Sequence, residues 1–133
     1  MRQFHLEIVT PDGIVFDGMA ESVTTKTDNG DIEIMYGHLD YFSSLSTGRV
    51  RIITNGEKKY ASSSGGFISV SAGEVKVVAT TFEYADQIDE TRAQTAKAKA
   101  ITELERAKDE RAVRIAKAKL ARATNRLDVA SMK

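Results

Sequence analysis

The 133-residue sequence contains no cysteine, and this absence removes several kinds of chemistry at once. Disulfide bonds, thiolate zinc sites and a cysteine nucleophile are excluded. The two histidines are too few by themselves to make a good metal site. The sequence is therefore compatible with a reducing compartment and does not indicate a thiol or zinc function.

Long apolar runs are also missing. No stretch approaches the roughly 18 consecutive apolar residues that a membrane-spanning helix requires. The first residues alternate between apolar and polar side chains, whereas a signal peptide has a continuous apolar core. Any association with a membrane is therefore expected to go through a partner protein.

Glycine and proline are absent from the last 60 residues, since all nine glycines and the single proline lie at or before Gly73. Charge divides near the same place. Residues 1–88 carry 7 Lys and Arg against 12 Asp and Glu, a net charge of −5, whereas residues 89–133 carry 12 against 7, a net charge of +5. We therefore predict two modules, residues 1–86 and 87–133, which contact each other or different partners.

Short strands separated by turns are predicted in the first module. Phe4, Leu6 and Ile8 alternate with polar residues, which is typical of a strand with one buried face. Similar short runs predict further strands at residues 14–16, 32–34, 50–54, 58–61, 67–70 and 75–78. Asn55-Gly56 is a strong hairpin signal between two of them. The spacing predicts a β sandwich or a flattened barrel.

Helix-forming residues dominate the second module. Apolar content is lowest at Lys108-Asp109-Glu110, where we predict a reversal from one helix into another. Small and apolar residues recur every three or four positions, at Ala93, Ala100, Leu104 and Ala107 and then at Val113, Ala116, Leu120, Ala123, Leu127 and Ala130. This pattern predicts an antiparallel helical hairpin, and hence an α+β chain. Burial contributes only about 0.8 kcal/mol per CH₂, so a seam rich in alanine is expected to open readily.

Catalytic motifs find little support in the sequence. Ser62-Ser63-Ser64 lacks the flanking residues of a nucleophile elbow, and we interpret it as a polar strand edge or loop. Gly65-Gly66-Phe67 lacks the Lys-Ser/Thr that completes a phosphate-binding loop, and we interpret it as a bulge or a close contact between strands. No catalytic residue is therefore predicted.

An aromatic segment, residues 36–42, lies between two predicted strands and contains a histidine and a carboxylate. From the residues alone two interpretations stay open: a loop with two buried rings, or a loop that contacts another protein.

The second helix presents six cations, Arg111, Arg114, Lys117, Lys119, Arg122 and Arg126. A solvated face and a surface for an acidic protein both explain them. Nucleic acid is not favoured, since no aromatic residue is interleaved with these cations.

The predicted reversal brings the start of the first helix beside the end of the second. Arg92 then lies opposite Arg126, and Arg122 shares a face with Arg126 one turn away. Asp89 at the helix start and Glu83 at the end of the sheet add two carboxylates. This combination is suited to a phosphate chain and a ribose or base edge. The alternative is that Asp89 caps the helix and the arginines form surface ion pairs.

Several short motifs occur along the chain in a specific order and spacing. They are Val9-Thr10-Pro11-Asp12-Gly13, Gly30-Asp31-Ile32, Ile34 with Gly37-His38, Ser64-Gly65-Gly66-Phe67, Ile88-Asp89 with Arg92-Ala93, and Asn125-Arg126-Leu127 with Val129-Ala130. In this arrangement essentially the whole chain resembles the epsilon subunit of bacterial F-type ATP synthases. The resemblance implies an N-terminal β sandwich followed by a C-terminal helical hairpin, which the residue patterns also predict.

The resemblance implies a non-catalytic subunit of the central rotor stalk. The sandwich would dock on the gamma subunit and on the ring of proton-carrying subunits, which residues 31–42 would contact. The hairpin would switch between folded and extended forms. The extended form would bring the basic second helix to an acidic segment of the catalytic beta subunit and inhibit ATP hydrolysis. The implied location is the cytoplasmic face of the cell membrane, peripherally, within the complex.

A regulatory ligand is implied as well. Some bacterial members of this family bind ATP on the folded hairpin at an Ile/Leu-Asp-x-x-Arg-Ala motif, which residues 88–93 match fully. Glu83, Arg122 and Arg126 fall at the family's other nucleotide-contacting positions. Lys99 stands where the family often has arginine, which keeps the charge but loses the planar fork. Bound ATP would favour the folded hairpin through its preference for that form.

Three positions depart from the family's pattern in the contact segment. Glu33 replaces a usual glycine, and Tyr36 and Asp40 replace two usual prolines, so we expect a less rigid loop.

Two other functions also fit the sequence: a free-standing nucleotide-sensing module whose helices open when the ligand leaves, and a coiled-coil adaptor without a ligand. Co-purification with gamma and the catalytic subunits would separate a stalk subunit from both.

Overall fold

The computed structural model describes residues 2–132, and within them ten β-strands precede a short 3-10 helix and two α-helices. The strands are β1 Phe4–Thr10, β2 Gly13–Ala20, β3 Ser22–Thr27, β4 Gly30–Met35, β5 Tyr41–Ser44, β6 Gly48–Thr54, β7 Glu57–Ser64, β8 Phe67–Ser71, β9 Glu74–Val78 and β10 Thr81–Tyr84. The helices are the 3-10 turn Ala85–Gln87, α1 Glu90–Arg106 and α2 Glu110–Ala130.

Two five-stranded sheets pack face to face as a sandwich. The first has the order β2-β1-β9-β8-β5 and the second the order β10-β7-β6-β3-β4. The alternating side chains of β1 point inward, so that Leu6 and Ile8 are fully buried, and Ile52 of the second sheet meets them in the core. Full burial of such a side chain contributes about 1.5–3 kcal/mol. The predicted β sandwich followed by a helical hairpin is confirmed.

Some strands are not predicted by the apolar pattern. β3 consists mostly of serine and threonine, yet Thr25 and Thr27 are buried. β-branched threonine packs well in a strand, but its hydroxyl hides the position from a hydropathy pattern. Ser62-Ser63-Ser64 likewise forms the buried end of β7 and not a strand edge or loop.

The aromatic segment is strand in part, which corrects the predicted loop. β4 continues to Met35 and β5 begins at Tyr41, so the connecting loop covers only residues 36–40. Phe42 is 67% exposed, so the interpretation with two buried rings is wrong for this ring. It stacks instead on Phe67 of the neighbouring strand, with 5.2 Å between ring centroids.

The link between β7 and β8 carries the chain from the second sheet to the first. A β-carbon at Gly66 would lie only 1.7 Å from the carbonyl oxygen of Val78, and the φ angle of Gly66 is +93°. Only glycine fits such an approach. The predicted close contact between strands is therefore confirmed at this residue.

A histidine joins three strands on the outer face of the first sheet. His5 of β1 contacts Asp17 of β2 through Nε2 and Glu74 of β9 through Nδ1, each at 2.6 Å. Both carboxylates accept hydrogen bonds, so both ring nitrogens must donate, which requires the imidazolium form. The hydrogen bonds that His5 donates to these two carboxylates, Asp17 first, raise the pKa of His5 above its ordinary value.

A pH titration tests this cross-strand contact. Folding raises the pKa of His5, so protonated His5 stabilises the folded protein. This stabilisation is fully present below the unfolded-state pKa of about 6.5, and it is lost as the pH rises through the folded-state pKa. We expect the NMR titration midpoint of His5 to lie higher in the folded protein than in urea. Asp17→Asn should lower the folded midpoint, and an unchanged midpoint would contradict the contact.

Candidate functional site

Aspartates begin both helices of the hairpin. The carboxylate of Asp89 accepts a hydrogen bond from the backbone N–H of Arg92 at 3.0 Å, and Asp109 accepts one from Ala112 at 2.8 Å. Each therefore satisfies a backbone donor that the first turn leaves free. The predicted reversal is confirmed between α1 and α2. The residue that follows α1, Ala107, has an extended backbone (φ −67°, ψ 129°), so this turn does not need the left-handed glycine with which many helices end.

The seam between α1 and α2 is as narrow as predicted. Ala93 and Ala100 of α1 and Ala116 and Ala123 of α2 are buried. The leucines of the seam are only half-buried. Alanine contacts let the two helix backbones approach closely, so the long side chains beside the seam converge on its open face. Among residues 2–132, no helix has the length and hydropathy needed to cross a membrane.

A cleft of about 220 Å³ lies along this face of the seam. Its charged lining comes from both helices: Lys99, Glu103, Lys119, Arg122 and Arg126. Three of these are predicted site residues, so the structure brings together Lys99, Arg122 and Arg126. Typical small-ligand pockets have about 300–1,000 Å³. The cleft is therefore suited to part of a nucleotide, such as its phosphates.

Lys119 and Glu103 are lining residues that the sequence analysis does not assign to the site. Lys119 donates to Glu103 across the seam at 3.1 Å. Helical spacing could have identified both, because Glu103 follows Lys99 by four residues and Lys119 precedes Arg122 by three. The cleft carries four cations against one carboxylate, which favours an anionic ligand.

Glu83 lies at the edge of the cleft and links the sandwich to the hairpin. Its carboxylate accepts from Nε of Arg126 at 2.7 Å, and both side chains are about one-third exposed. The structure therefore places Glu83 beside the cleft residues, as the sequence analysis expects. The contact is also an ion pair of the kind that the alternative interpretation predicts for the arginines of this helix.

Asp89 and Arg92 lie outside the lining of the cleft. The Asp89 carboxylate is engaged as the helix cap, as the alternative interpretation predicts. Arg92 is exposed, and it precedes Lys99 by seven residues, which places both on the same face of α1. Arg92 therefore extends the cationic face by two turns toward the start of the helix.

An apolar surface forms a second candidate site, on the sandwich. Met19, Met35, Tyr36, Leu39 and Phe42 are each at least 48% exposed. Several of them line a broad cleft of about 570 Å³ together with His38. Exposed apolar residues grouped in this way are typical of protein-contact surfaces.

The three positions that depart from the family pattern make contacts of their own. Glu33 forms an ion pair with Arg51 at 2.7 Å. Asp40 accepts a hydrogen bond from the backbone N–H of Ala72 at 3.0 Å, which ties the loop to the β8–β9 turn. The ring of Tyr36 lies under the guanidinium of another residue, Arg2. The contacts of Tyr36 and Asp40 restrain the loop at the two positions where the family usually has proline.

Both modules match models of known protein domains. Residues 3–85 match the beta-sandwich domain of the ATP synthase delta/epsilon chain, and residues 86–131 match the long alpha-helix domain of the same chain. The sequence is 39% identical to the ATP synthase epsilon chain of Bacillus velezensis over 98% of both chains. It is 39% identical to that of Bacillus cytotoxicus over the full length of both, and 37% identical to that of Staphylococcus aureus.

Solved structures share the fold at lower sequence identity. A chain of the Euglena gracilis mitochondrial ATP synthase superposes with a TM-score of 0.84 at 20% identity, covering 98% of this chain and 82% of its own. A chain of the Tetrahymena thermophila mitochondrial ATP synthase, from its central stalk and c-ring, superposes with a TM-score of 0.65 at 14% identity, covering 97% of each.

Proposed function

The chain belongs to the epsilon-chain family of ATP synthases, and from this premise we propose that it is a non-catalytic subunit of the central stalk whose hairpin regulates ATP hydrolysis. In this role the sandwich is the docking module and the hairpin is the moving part. The subunit couples proton-driven rotation to the catalytic head without performing chemistry itself. It associates peripherally with the cytoplasmic face of the membrane, through the complex.

Docking of the sandwich is supported by its exposed apolar surface. Met35, Tyr36, Leu39 and Phe42 lie in or beside the loop that follows β4. Burying such side chains against another protein removes apolar surface from water, which is favourable. The gamma subunit and the ring of proton-carrying subunits are the proposed partners of this surface.

ATP is the proposed regulatory ligand of the cleft. The observation that carries this proposal is the convergence of Lys99 from α1 with Arg122 and Arg126 from α2. The cleft exists only while the two helices lie side by side. A ligand held by both helices must therefore favour the folded hairpin, since it binds that form better than the separated one.

Inhibition is proposed for the extended form. The segment from residue 89 to the end carries a net charge of +5, and many of its cations lie on exposed positions of α2. An acidic segment of the catalytic beta subunit is complementary to this charge. Extension would exchange the ligand cleft for that contact, so ATP binding and inhibition oppose each other.

Truncation after Ile88 tests the regulatory role. We expect the assembled complex to hydrolyse ATP faster without residues 89–133, because the inhibitory helices are gone, while gamma still co-purifies with the truncated chain. This difference is expected at ATP concentrations that leave the cleft unoccupied. At saturating ATP the full-length hairpin should be folded, so the full-length and truncated complexes should hydrolyse ATP equally, and this comparison is the matched control. Unchanged hydrolysis would leave only the coupling role, and failure of the full-length chain to co-purify with gamma would refute the stalk assignment.

A second candidate function is a free-standing nucleotide sensor. It is favoured by the position of the cleft, which shares no lining residue with the apolar surface proposed for docking. Calorimetric titration of the isolated chain with ATP, together with the co-purification experiment, separates the two candidates. A chain that binds ATP but never assembles with gamma would support the sensor.

A further inference from the structure

The contacts that hold the hairpin on the sandwich are concentrated at the end of α2. They involve Asn125, Arg126, Val129, Ala130 and Met132. The rest of the hairpin is held mainly by its own seam. Movement of the hairpin away from the sandwich must therefore break the contacts made at this end of α2.

The apolar part of this interface is small. Val129 and Ala130 pack on Ala85 and Ile88, with Tyr60 partly covering the cluster. Two of these side chains are single methyl groups, and Ile88 belongs to the linker that enters α1. Apolar burial here attracts the helix without fixing its position, because the hydrophobic effect has no direction.

The ion pair at the interface is also weak. Arg126 and Glu83 are each about one-third exposed, and exposed pairs contribute little because water and salt screen them. Arg126 additionally lines the cleft, so its interaction with Glu83 competes with any ligand there.

Asn125 differs from both of these contacts. Its side-chain Nδ2 donates to the backbone carbonyl of Gly48 at 3.0 Å and to the hydroxyl of Ser62 at 2.8 Å. Gly48 lies on β6 and Ser62 on the adjacent strand β7, so one amide group bridges two strands. Both amide hydrogens are used, and the geometry fits one position of the helix only.

The environment of Ser62 makes this bridge selective for the folded hairpin. Ser62 is only 7% exposed when α2 is docked, so its hydroxyl depends on Asn125 for a partner. A buried polar group left without its partner is costly, whereas water satisfies the same group once the helix has moved away. Removing the amide therefore penalises the docked form and leaves the open form unaffected.

We propose that Asn125 is the latch that sets how often the hairpin leaves the sandwich. The latch rests on the proposed function, in which the hairpin moves, but it requires neither ATP nor a partner subunit. Asn125 does not line the cleft, so it is a positioning residue and not a ligand contact.

Single-molecule energy transfer on the full chain without ATP measures this population. The chain has no cysteine, so Lys108→Cys at the hairpin turn and Glu57→Cys on the sandwich give unique dye positions. In Asn125→Ala we expect the ratio of open to docked molecules to rise about tenfold, as for loss of a hydrogen bond that leaves a buried partner. Thr124→Ala, in the same helix turn, is the matched control and should leave the ratio unchanged.

A double-mutant cycle shows whether loss of the Asn125–Ser62 hydrogen bond causes the increase in the open fraction. Ser62→Ala alone should raise the open fraction less, because Asn125 keeps the carbonyl of Gly48. In the Ser62→Ala background, Asn125→Ala should have a smaller effect than it has in the parent, since the two residues share one contact. A general loss of structure would not produce this coupling, and the thermal melt of the sandwich should be unchanged.

Several outcomes would overturn the latch: equal effects of Asn125→Ala and Thr124→Ala, full additivity in the cycle, or an Asn125→Ala chain that stays wholly docked. Calorimetry with ATP then separates this inference from the proposed function. If ATP fails to bind while Asn125→Ala opens the hairpin, nucleotide regulation fails and the latch stands. If ATP docks the hairpin and Asn125→Ala has no effect, only the latch is lost.

Discussion

Replacing Gly66 with alanine is expected to prevent the sandwich from folding. The added β-carbon would lie 1.7 Å from the carbonyl oxygen of Val78 and 3.0 Å from the Cα of Ala79. Both neighbours are backbone atoms, one in the last residue of β9 and one in the residue that follows it, so no side chain can rotate away to make room. The positive φ of +93° adds a conformational penalty for any residue with a β-carbon.

The size of this effect follows from comparing it with the stability of a domain. A left-handed conformation alone costs about 1–2 kcal/mol, whereas native domains are stable by only about 5–15 kcal/mol. The backbone overlap must be relieved by moving the start of β8 away from the end of β9, where Phe67 pairs with Val78, and this opens the core beside Ile68. We therefore expect insoluble protein or the loss of a cooperative thermal transition by circular dichroism.

Gly73→Ala separates the effect of the backbone overlap from the effect of the positive φ angle. Gly73 has a similar φ of +81°, but nothing lies within 4 Å of a β-carbon there. This control should keep its fold and lose only about 1–2 kcal/mol, measured as a lower melting temperature. If Gly66→Ala melted at the same temperature as Gly73→Ala, the close approach to Val78 would have to relax without cost, contrary to the geometry.

The elements that are predictable from the sequence are those whose burial follows a period. Leu6 and Ile8 alternate, and Ala100 and Ala116 recur at helical spacing, so both the sandwich and the seam can be predicted. β3 escapes prediction because its buried residues are threonines. The position of Phe42 is not predicted for the opposite reason. An aromatic side chain in a β sandwich is expected to be buried, whereas Phe42 lies on the surface.

Contacts across the two modules are the least predictable part of the site. Arg122 and Arg126 can be placed on one face by helical spacing, but their distance from Glu83 depends on how the hairpin sits on the sheet. Asn125 gives no signal of its own, because its partners are a buried serine and a backbone carbonyl 63 and 77 residues away in sequence. Long-range register of this kind is set by packing.

Arg126→Ala is expected to weaken ATP binding by the isolated chain at least tenfold. The residue lines the cleft, and a hydrogen bond to a charged group contributes about 1.5–3 kcal/mol, which corresponds to roughly 10- to 150-fold in affinity. The same change breaks the ion pair with Glu83, which contributes at most about 1 kcal/mol because it is partly exposed. Isothermal titration calorimetry measures the loss, and Arg92→Ala tests the exposed neighbour in the same way.

Two matched variants separate ligand contact from docking of the hairpin. Glu83→Gln removes the ion pair and keeps the Arg126 guanidinium, so a loss of affinity confined to Arg126→Ala would assign that guanidinium to the ligand. Arg114→Ala removes a cation from the same helix that pairs with Glu110 and lies outside the cleft, so it should bind ATP like the parent. Unchanged binding in both Arg92→Ala and Arg126→Ala would refute the pocket while leaving the stalk role intact, because the docking surface lies on the sandwich.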